Sequence, residues 1–253
     1  MEEYVTSRQN RLFVHLKKLQ TSRAYREKTR QFCGDGTKLL EEAVQWYPGL
    51  HTVIACEALA LPALPACVRV VRVPERLMQS LSTMRSPQGT IFLCHMPEPT
   101  PLDIRPGSLI LDGIQDPGNL GTILRTADAL DVPVVLTDGC ADPYSEKTVR
   151  ASMGAVLRTQ PGQANAEKII VYCKAHSIPI ATAALSERAV DLREAALKDC
   201  TVVIGSEGQG VRRQFLDESD SLVIIPMHKH CESLNAAIAA TIVMWEMRRI
   251  DFT

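Results

Sequence analysis

Residues 112–130 read DGIQDPGNLGTILRTADAL. Turn-forming residues run straight into an amphipathic helix, in which Leu120, Ile123, Leu124, Ala127 and Leu130 recur at helical spacing. An apolar run, SLILD at 108–112, precedes it, and PVVLT at 133–137 follows. Strand, helix, strand in this order reads as a unit of a parallel α/β sheet. Asn119 has the chemistry of a helix N-cap. Gly121 and Arg125 stand four residues apart and share another face, where a missing side chain leaves room for a ligand under a guanidinium. A glycine-rich start to a helix suggests an anion or nucleotide site. The dinucleotide fingerprint G-x-G-x-x-G is nevertheless absent here, which argues against an oxidoreductase on an open Rossmann sheet.

The alternation continues on the C-terminal side. Helices are expected around SEKTVRASMG (145–154) and NAEKIIVYCKAH (165–176), with a short strand near AVLRTQ (155–160). IPIATAA (178–184), TVVIG (201–205) and SLVIIP (221–226) follow as strands, before a last helix over 234–249. These strands are continuous apolar runs, as in a parallel sheet covered on both faces. On the N-terminal side lie a basic helix (about 7–24), a short strand and turn in TRQFCGDG, and the helix TKLLEEAVQWY. Strands HTVIAC and VRVVRV, helix PERLMQSLS and strand TIFLC complete a smaller α/β module. Prolines at 97, 99, 101 and 106 stiffen the stretch between the two halves. The expected domains are therefore 1–97 and 108–253, joined by a proline-rich linker at 98–107.

Composition narrows the class. A chain of 253 residues is long for one core and comfortable for two domains. Its 45% apolar and 23% charged residues are those of an ordinary globular protein. The longest apolar run, AAIAATIVMW, is about half the ~18 residues of a membrane span. MEEYVTSRQNR at the start is charged at once, with no apolar core of a signal peptide, so a cytoplasmic location is expected. No two of the eight cysteines are closer than eleven residues, so the C-x2-4-C pair of a structural zinc site is missing and no metal is expected. The net charge of −1 hides an asymmetry: residues 7–30 carry eight cations against Glu27 alone. Such a run can hold a phosphate backbone through counterion release.

Two further constellations carry chemistry. VVIGSEGQGVRRQF (202–215) runs from a buried strand into a glycine-rich loop bearing Glu207. Backbone amides in such a loop can bind a ligand without side-chain interference, though no G-K-[ST] follows as in a phosphate loop. IIPMHKHCESLNAAIAATIVMWE (224–246) passes from a strand through a polar loop to Ser233-Leu234-Asn235 at a helix start, where Ser233 could serve as N-cap. Ala236, Ala237, Ala239 and Ala240 then offer a smooth surface for close packing.

Taken in order, the three constellations resemble the signature motifs of the SpoU/TrmH-type RNA 2′-O-ribose methyltransferases, a branch of the SPOUT superfamily. The matching patterns are N-x-G-x-x-x-R, [IV]-G-x-E-G-x-G and I-P-M…S-L-N-x-x-x-A, and the resemblance covers about 108–249. More loosely, FCGDGTKLLEEA resembles part of the L30e-like RNA-binding domain that many ribosomal-RNA members carry, with Asp35 standing where that family commonly has Glu.

The resemblance implies an α/β-knot domain, a deep trefoil knot with a largely parallel sheet, preceded by a smaller L30e-like α/β domain. It implies S-adenosylmethionine as cofactor, held by backbone at Gly205, Ile225 and Leu234, in a homodimer with active sites near the subunit interface. The reaction would be methyl transfer to a ribose 2′-hydroxyl of RNA, ribosomal RNA above transfer RNA. A non-catalytic RNA-binding protein that kept the fold is the other reading. Arg125 matches the family's catalytic arginine. It would act as a cation that positions phosphate and stabilises developing alkoxide, rather than as a base. Asn119, Glu207, Ser233 and Asn235 match the remaining motif positions and would orient Arg125 and the ribose, with Glu207 anchoring Arg125. Arg8, Arg11, Arg23 and Arg30 are the expected RNA-binding cations.

Overall fold

The computed structural model describes residues 2–206, 208–228, 230–231 and 233–249. Glu207 lies outside them. The chain divides into two compact units, Met1–Pro99 with Asp142–Arg158, and Thr100–Ala141 with Thr159–Thr253.

Unit 1 opens with β1 (Glu2–Tyr4), α1 (Arg11–Thr21), α2 (Arg23–Thr29), β2 (Gln31–Asp35) and α3 (Thr37–Trp46). It continues with β3 (Leu50–Cys56), β4 (Arg69–Val73), α4 (Glu75–Leu81) and β5 (Thr90–His95). The five strands are ordered β1-β4-β3-β5-β2. β4 pairs parallel with β1 and β3, while β5 is antiparallel to β3 and β2. Phe13, Leu16 and Leu19 of α1 pack with Ile54, Val71 and Leu93 of the sheet and with Leu77 and Met78 of α4. Each such burial stabilises by roughly 1.5–3 kcal/mol.

The basic helix expected over 7–24 is two helices. Ser22 is extended (φ −124°, ψ 112°), ends α1, and its hydroxyl accepts from the Tyr25 N–H to start α2. The break redirects Arg26 inward. Its guanidinium bonds Asp142 at 2.7 Å and the Leu19 carbonyl at 2.5 Å, and Arg26 is buried.

Unit 2 begins with β6 (Leu109–Asp112), α5 (Pro117–Ala129) and β7 (Val134–Leu136). The chain then contributes α6 (Glu146–Ala151) and α7 (Ala155–Arg158) to unit 1. The expected strand near 155–160 is thus helical, and the expected span 108–253 is interrupted. Specific contacts hold the excursion in unit 1. Tyr144 sits 5.0 Å from the Phe32 ring, the Thr83 hydroxyl donates to Glu146 at 2.5 Å, and Arg158 pairs with Glu42. The proline-rich stretch is not a free linker either, because Ile104 is buried in the core of unit 2 with Leu102 packed beside it.

Unit 2 resumes with β8 (Gly162–Gln163), α8 (Ala166–Ala175), β9 (Ile180–Ala183) and β10 (Val190–Asp191). It ends with β11 (Thr201–Gly205), α9 (Arg213–Asp217), β12 (Ser221–Ile224) and α10 (Ala236–Arg248). Its seven strands are ordered β10-β12-β9-β11-β6-β7-β8, and every pairing is parallel. The buried apolar runs of β6, β9 and β11 fill the centre, as expected for a sheet covered on both faces. The β11–β6 register sets Gly205 beside Asp112, so loops from two distant segments leave the sheet together. No helix of the described residues is long and apolar enough to cross a membrane.

Candidate active site

The site is built where strands of unit 2 end at their C-termini, as ligand sites of parallel sheets generally are. A cavity of about 400 Å³ opens there. Gly205, Ile225, Ser233 and Leu234 all line it, with Val223 and Leu216 among its apolar walls. Three segments that begin at 205, 225 and 233 thus share one wall, and the expected cofactor-binding positions are brought together. No Lys or Arg stands among the described residues lining the cavity. It therefore suits a ligand held through apolar contact and backbone polar groups, and its described lining offers no cation to neutralise a diphosphate.

Gly205 is required by close approach. A Cβ there would collide with the backbone of Gly210 and Val211. Ser206 and Gly210 form an isolated bridge, folding the glycine-rich loop back on itself. Arg212 pins the far end of that loop. Its N–H donates to Asp112 Oδ2 at 2.7 Å, and its Nε lies 3.0 Å from Asp112 Oδ1. The Thr137 hydroxyl donates to Asp112 Oδ1 at 2.9 Å. Arg212 also pairs with Asp138 at 2.9 Å, and this hydrogen bond holds the Asp138 carboxyl below the usual carboxylate range. Asp112 is 1% exposed, so the clamp satisfies a carboxylate that has almost no access to water. Sequence reasoning missed Asp112 and Arg212. The available signal was a charge ending a buried strand and an arginine closing a glycine-rich loop.

The α5 start differs from expectation. Asp116, not Asn119, is the N-cap, accepting from the Asn119 N–H at 2.9 Å with Pro117 in the first turn. Asn119 therefore keeps its side chain for another use. Likewise Asn235, not Ser233, caps α10, its Oδ1 accepting from Ala237 and Ile238 at 2.9 and 3.3 Å. That duty leaves the Asn235 amide hydrogens to donate, and they meet Asn119 Oδ1 at 3.1 Å. The first and third motifs, 116 residues apart, are thus joined amide to amide.

From this joint α5 and α10 run side by side in the same direction. Thr126 and Thr241 hydroxyls lie 3.5 Å apart, and Arg248 reaches the Asp131 carbonyl beyond them. The alanine surface fits this closeness: Ala236, Ala237 and Ala240 are buried. Gly121 is buried as well.

Arg125 is exposed and does not line the 400 Å³ cavity. It borders a second groove between α5 and α10, with Thr122, Ala129, Thr241, Ile242 and Trp245. Ile238, Ile242 and Trp245 make an uncovered apolar stripe on α10, at 53%, 37% and 56% exposure. Among the described residues no group of three or more His, Cys, Asp or Glu could hold a metal ion.

In unit 1 the structure sorts the expected RNA-binding cations. Arg8 and Arg11 are exposed. Arg23 is engaged with Glu27 one helical turn away, and Arg30 with the Pro97 carbonyl and Met96 sulfur. Both of these hold the chain to itself, a use that an unstructured charge count does not reveal.

Comparison with known proteins agrees with this architecture. Residues 107–245 match the SpoU rRNA Methylase family, and residues 12–91 an MRM3-like substrate binding domain. The chain is 31% identical over 247 residues to the 23S rRNA (guanosine(2553)-2′-O)-methyltransferase RlmP of Bacillus subtilis, covering 96% of this chain and 98% of that one. An AdoMet-bound rRNA methyltransferase from Sinorhizobium meliloti superposes with a TM-score of 0.86 at 29% identity, covering 98% of each chain. The SpoU methyltransferase AviRb of Streptomyces viridochromogenes shares the fold, with a TM-score of 0.83 at 24% identity over 97% of this chain and 99% of that one. With a family match over more than half its length and a full-length relative above 30% identity, the chain belongs to the SpoU rRNA methylase family.

Proposed function

We propose that this protein transfers the methyl group of S-adenosylmethionine to a ribose 2′-hydroxyl of ribosomal RNA, with unit 2 catalytic and unit 1 holding the RNA. The observation that carries this reading is the single cavity wall made of Gly205, Ile225, Ser233 and Leu234. Its volume of about 400 Å³, apolar walls and lack of described cationic side chains fit an adenosyl sulfonium, which carries no phosphate. The choice of ribosomal RNA is supported by the matched family's description and by the substrate named for RlmP.

When bound, the cofactor supplies an electrophilic methyl carbon on a sulfonium. The chain's own residues must hold it, orient the ribose and manage one proton. Backbone at Gly205, Ile225 and Leu234 holds the adenosyl group, and the Arg212–Asp112 clamp keeps the loop that carries Gly205 in place. With the cofactor held there, the ribose oxygen would take up the methyl group, the cofactor would leave as its neutral thioether, and the hydroxyl proton would pass to solvent around the transition state. Arg125, a guanidinium cation with no lone pair to take up that proton, stabilises the developing alkoxide and positions the neighbouring phosphate. Ser233, at the cavity wall, and the Asn119–Asn235 pair orient the ribose.

Arg125 lies off the cavity of its own chain, and this favours a homodimer as the working form. The stripe of Ile238, Ile242 and Trp245 beside Arg125 is the face a second copy would cover. A knotted C-terminal segment is supported by the path of the chain. After β12, toward one side of the sheet, it returns to lay α10 along α5. A cytoplasmic site of action agrees with eight cysteines that are all free thiols.

The test is incubation with methyl-tritiated S-adenosylmethionine and deproteinised ribosomal RNA, followed by nucleoside mass spectrometry. A labelled 2′-O-methylnucleoside is expected in ribosomal RNA. Label confined to transfer RNA would move the substrate class. No label in either RNA, with the cofactor bound, would leave only the RNA-binding reading.

A further inference from the structure

Unit 1 holds a groove that the methyl-transfer reading leaves unused. It has a volume of about 450 Å³ and lies between α1 and the C-terminal end of α4. Arg8, Lys17 and Lys18 stand around it, Val14 and Leu81 supply apolar surface, and Ser80 lines it too. None of the three cations has an ion-pair partner among the described residues, in contrast to Arg23 and Arg26 nearby. Lys18 leans over the Tyr25 ring, 5.4 Å from its centroid, which orients the ammonium without neutralising it. The groove is also braced: Gln20 Nε2 donates to the Leu81 carbonyl at 2.8 Å, tying α1 to the end of α4. Val14 is 48% exposed, an apolar surface offered to a ligand in the midst of charge.

Three unpaired cations around apolar surface suit a ligand that alternates phosphate with a less polar body. A nucleic-acid strand has that chemistry. Ser80 narrows the choice. Its hydroxyl proton is donated to the Leu77 carbonyl at 2.7 Å, so toward the groove it offers only acceptor lone pairs. A phosphate oxygen cannot donate to such a group. A ribose 2′-hydroxyl can, and it is the group that distinguishes RNA from DNA.

We propose that the α1–α4 groove holds a single-stranded segment of the RNA substrate. Its phosphates lie on Arg8, Lys17 and Lys18, a sugar face lies on Val14, and a 2′-hydroxyl donates to Ser80. The proposal rests on the reading of unit 1 as the RNA-holding part and names where and how it does so. It also separates the working cations from those that fasten the fold.

The experiment uses the full-length chain and a fluorescein-labelled single-stranded RNA of 20 mixed-sequence nucleotides, with the DNA of the same sequence as second probe. Anisotropy is read across a salt series. The R8A/K17A/K18A variant is expected to lose at least tenfold in RNA affinity. Its salt dependence should fall by about two units of slope, near 0.7 for each phosphate no longer neutralised. A charge-matched control, K168A/K174A/K198A, removes three exposed cations of unit 2 and should change affinity by less than threefold. Ser80→Ala is expected to narrow the preference for RNA over DNA about threefold or more while leaving DNA binding unchanged. Affinity for S-adenosylmethionine should match wild type in all variants, which excludes misfolding of unit 2. Circular dichroism melts do the same for unit 1. If wild type binds RNA but the groove triple behaves like the control triple, the groove proposal is overturned and the methyltransferase reading stands. A Ser80→Ala variant with undiminished RNA preference removes the 2′-hydroxyl contact. If wild type binds neither probe, unit 1 is not the RNA-holding part and both readings of it fall.

Discussion

The two units put their polar residues to different uses. In unit 2 the polar groups that matter reach across long stretches of chain. Asp112 meets Arg212, and Asn119 meets Asn235, each pair joining a strand or helix end to a loop that lies far along the sequence. In unit 1 the cations are concentrated within 7–30, and the fold takes up Arg23 through its own helix and Arg26 through the distant Asp142, while Arg8 and Arg11 remain exposed. A site for chemistry thus depends on the whole sheet being formed, whereas a surface for a polyanion depends on one helix and its brace. Mutations should therefore have different signatures in the two places, and four predictions press on that contrast.

The largest effect is expected from Arg125→Ala. Losing a charge aimed at developing alkoxide should lower kcat by about 10³-fold or more. The dissociation constant for S-adenosylmethionine should stay within about threefold, because Arg125 does not line the cavity of Gly205, Ile225 and Leu234. Methyl transfer at the parental rate would remove Arg125 from the mechanism.

Arg212→Ala comes next. It leaves the buried Asp112 carboxylate without its cation, a loss of about 3 kcal/mol by analogy with broken buried pairs. A fall in melting temperature of roughly 6–12 °C is expected. Cofactor affinity should drop alongside, since the glycine-rich loop is released. Adding Asp112→Asn should recover part of the stability, and failure to do so would show that the pair is not the cause.

Gly205→Ala is a smaller backbone probe. Its Cβ meets the backbone of Gly210 and Val211, an overpacking cost of about 1–3 kcal/mol. Calorimetry should find S-adenosylmethionine binding weakened about tenfold with RNA binding by unit 1 intact. Loss of both together would argue that the two units are not separable in this way.

The smallest effect belongs to unit 1 and is a pH dependence. Burial, with the neighbouring His95 and His15, pushes His51 down to about 4 from an ordinary value of 6.5. A depressed histidine binds fewer protons in the folded state. Its contribution is therefore full above pH 6.5 and is lost as pH falls from 6.5 toward 4. On the order of 1–2 kcal/mol is expected, discounted for the partial exposure of the ring. Denaturant melts of wild type and His51→Gln at pH 7 and pH 5 should differ in their pH response. An identical response would clear His51 of any part in it.

Much of the architecture was legible from residues alone. Long apolar runs such as TVVIG and SLILD marked buried parallel strands, and the periodicity of Leu120, Ile123 and Leu124 marked α5. What stayed hidden was set by partners distant in the chain. Nothing in AVLRTQ says that residues 142–158 return to pack with Phe32 and Arg26, so a strand was expected where α7 forms. Cap positions were shifted for a related reason. Asn119 and Ser233 have cap chemistry, but Asp116 and Asn235 occupy the geometry that accepts the free N–H groups. Gly205, Ile225 and Leu234, singled out through their motifs, line one cavity although they lie in separate segments of the sequence. Asp112 and Arg212 escaped because the charge that ends β6 and the arginine that closes the glycine-rich loop lie 100 positions apart, and neither segment names the other. Arg23 and Arg30 were overcounted because a charge tally cannot see an i,i+4 partner or a carbonyl folded back over the helix end.

The amide joint between Asn119 and Asn235 spans 116 positions, and α10 begins only at Ala236. During synthesis, then, α5 waits for the whole intervening stretch to emerge before its companion can dock. On the proposed function, a product terminated before α10 would carry the RNA-holding surface without a completed methyl-donor pocket. It would occupy substrate unproductively, so the segment that carries α10 separates an enzyme from an inhibitor of its own siblings.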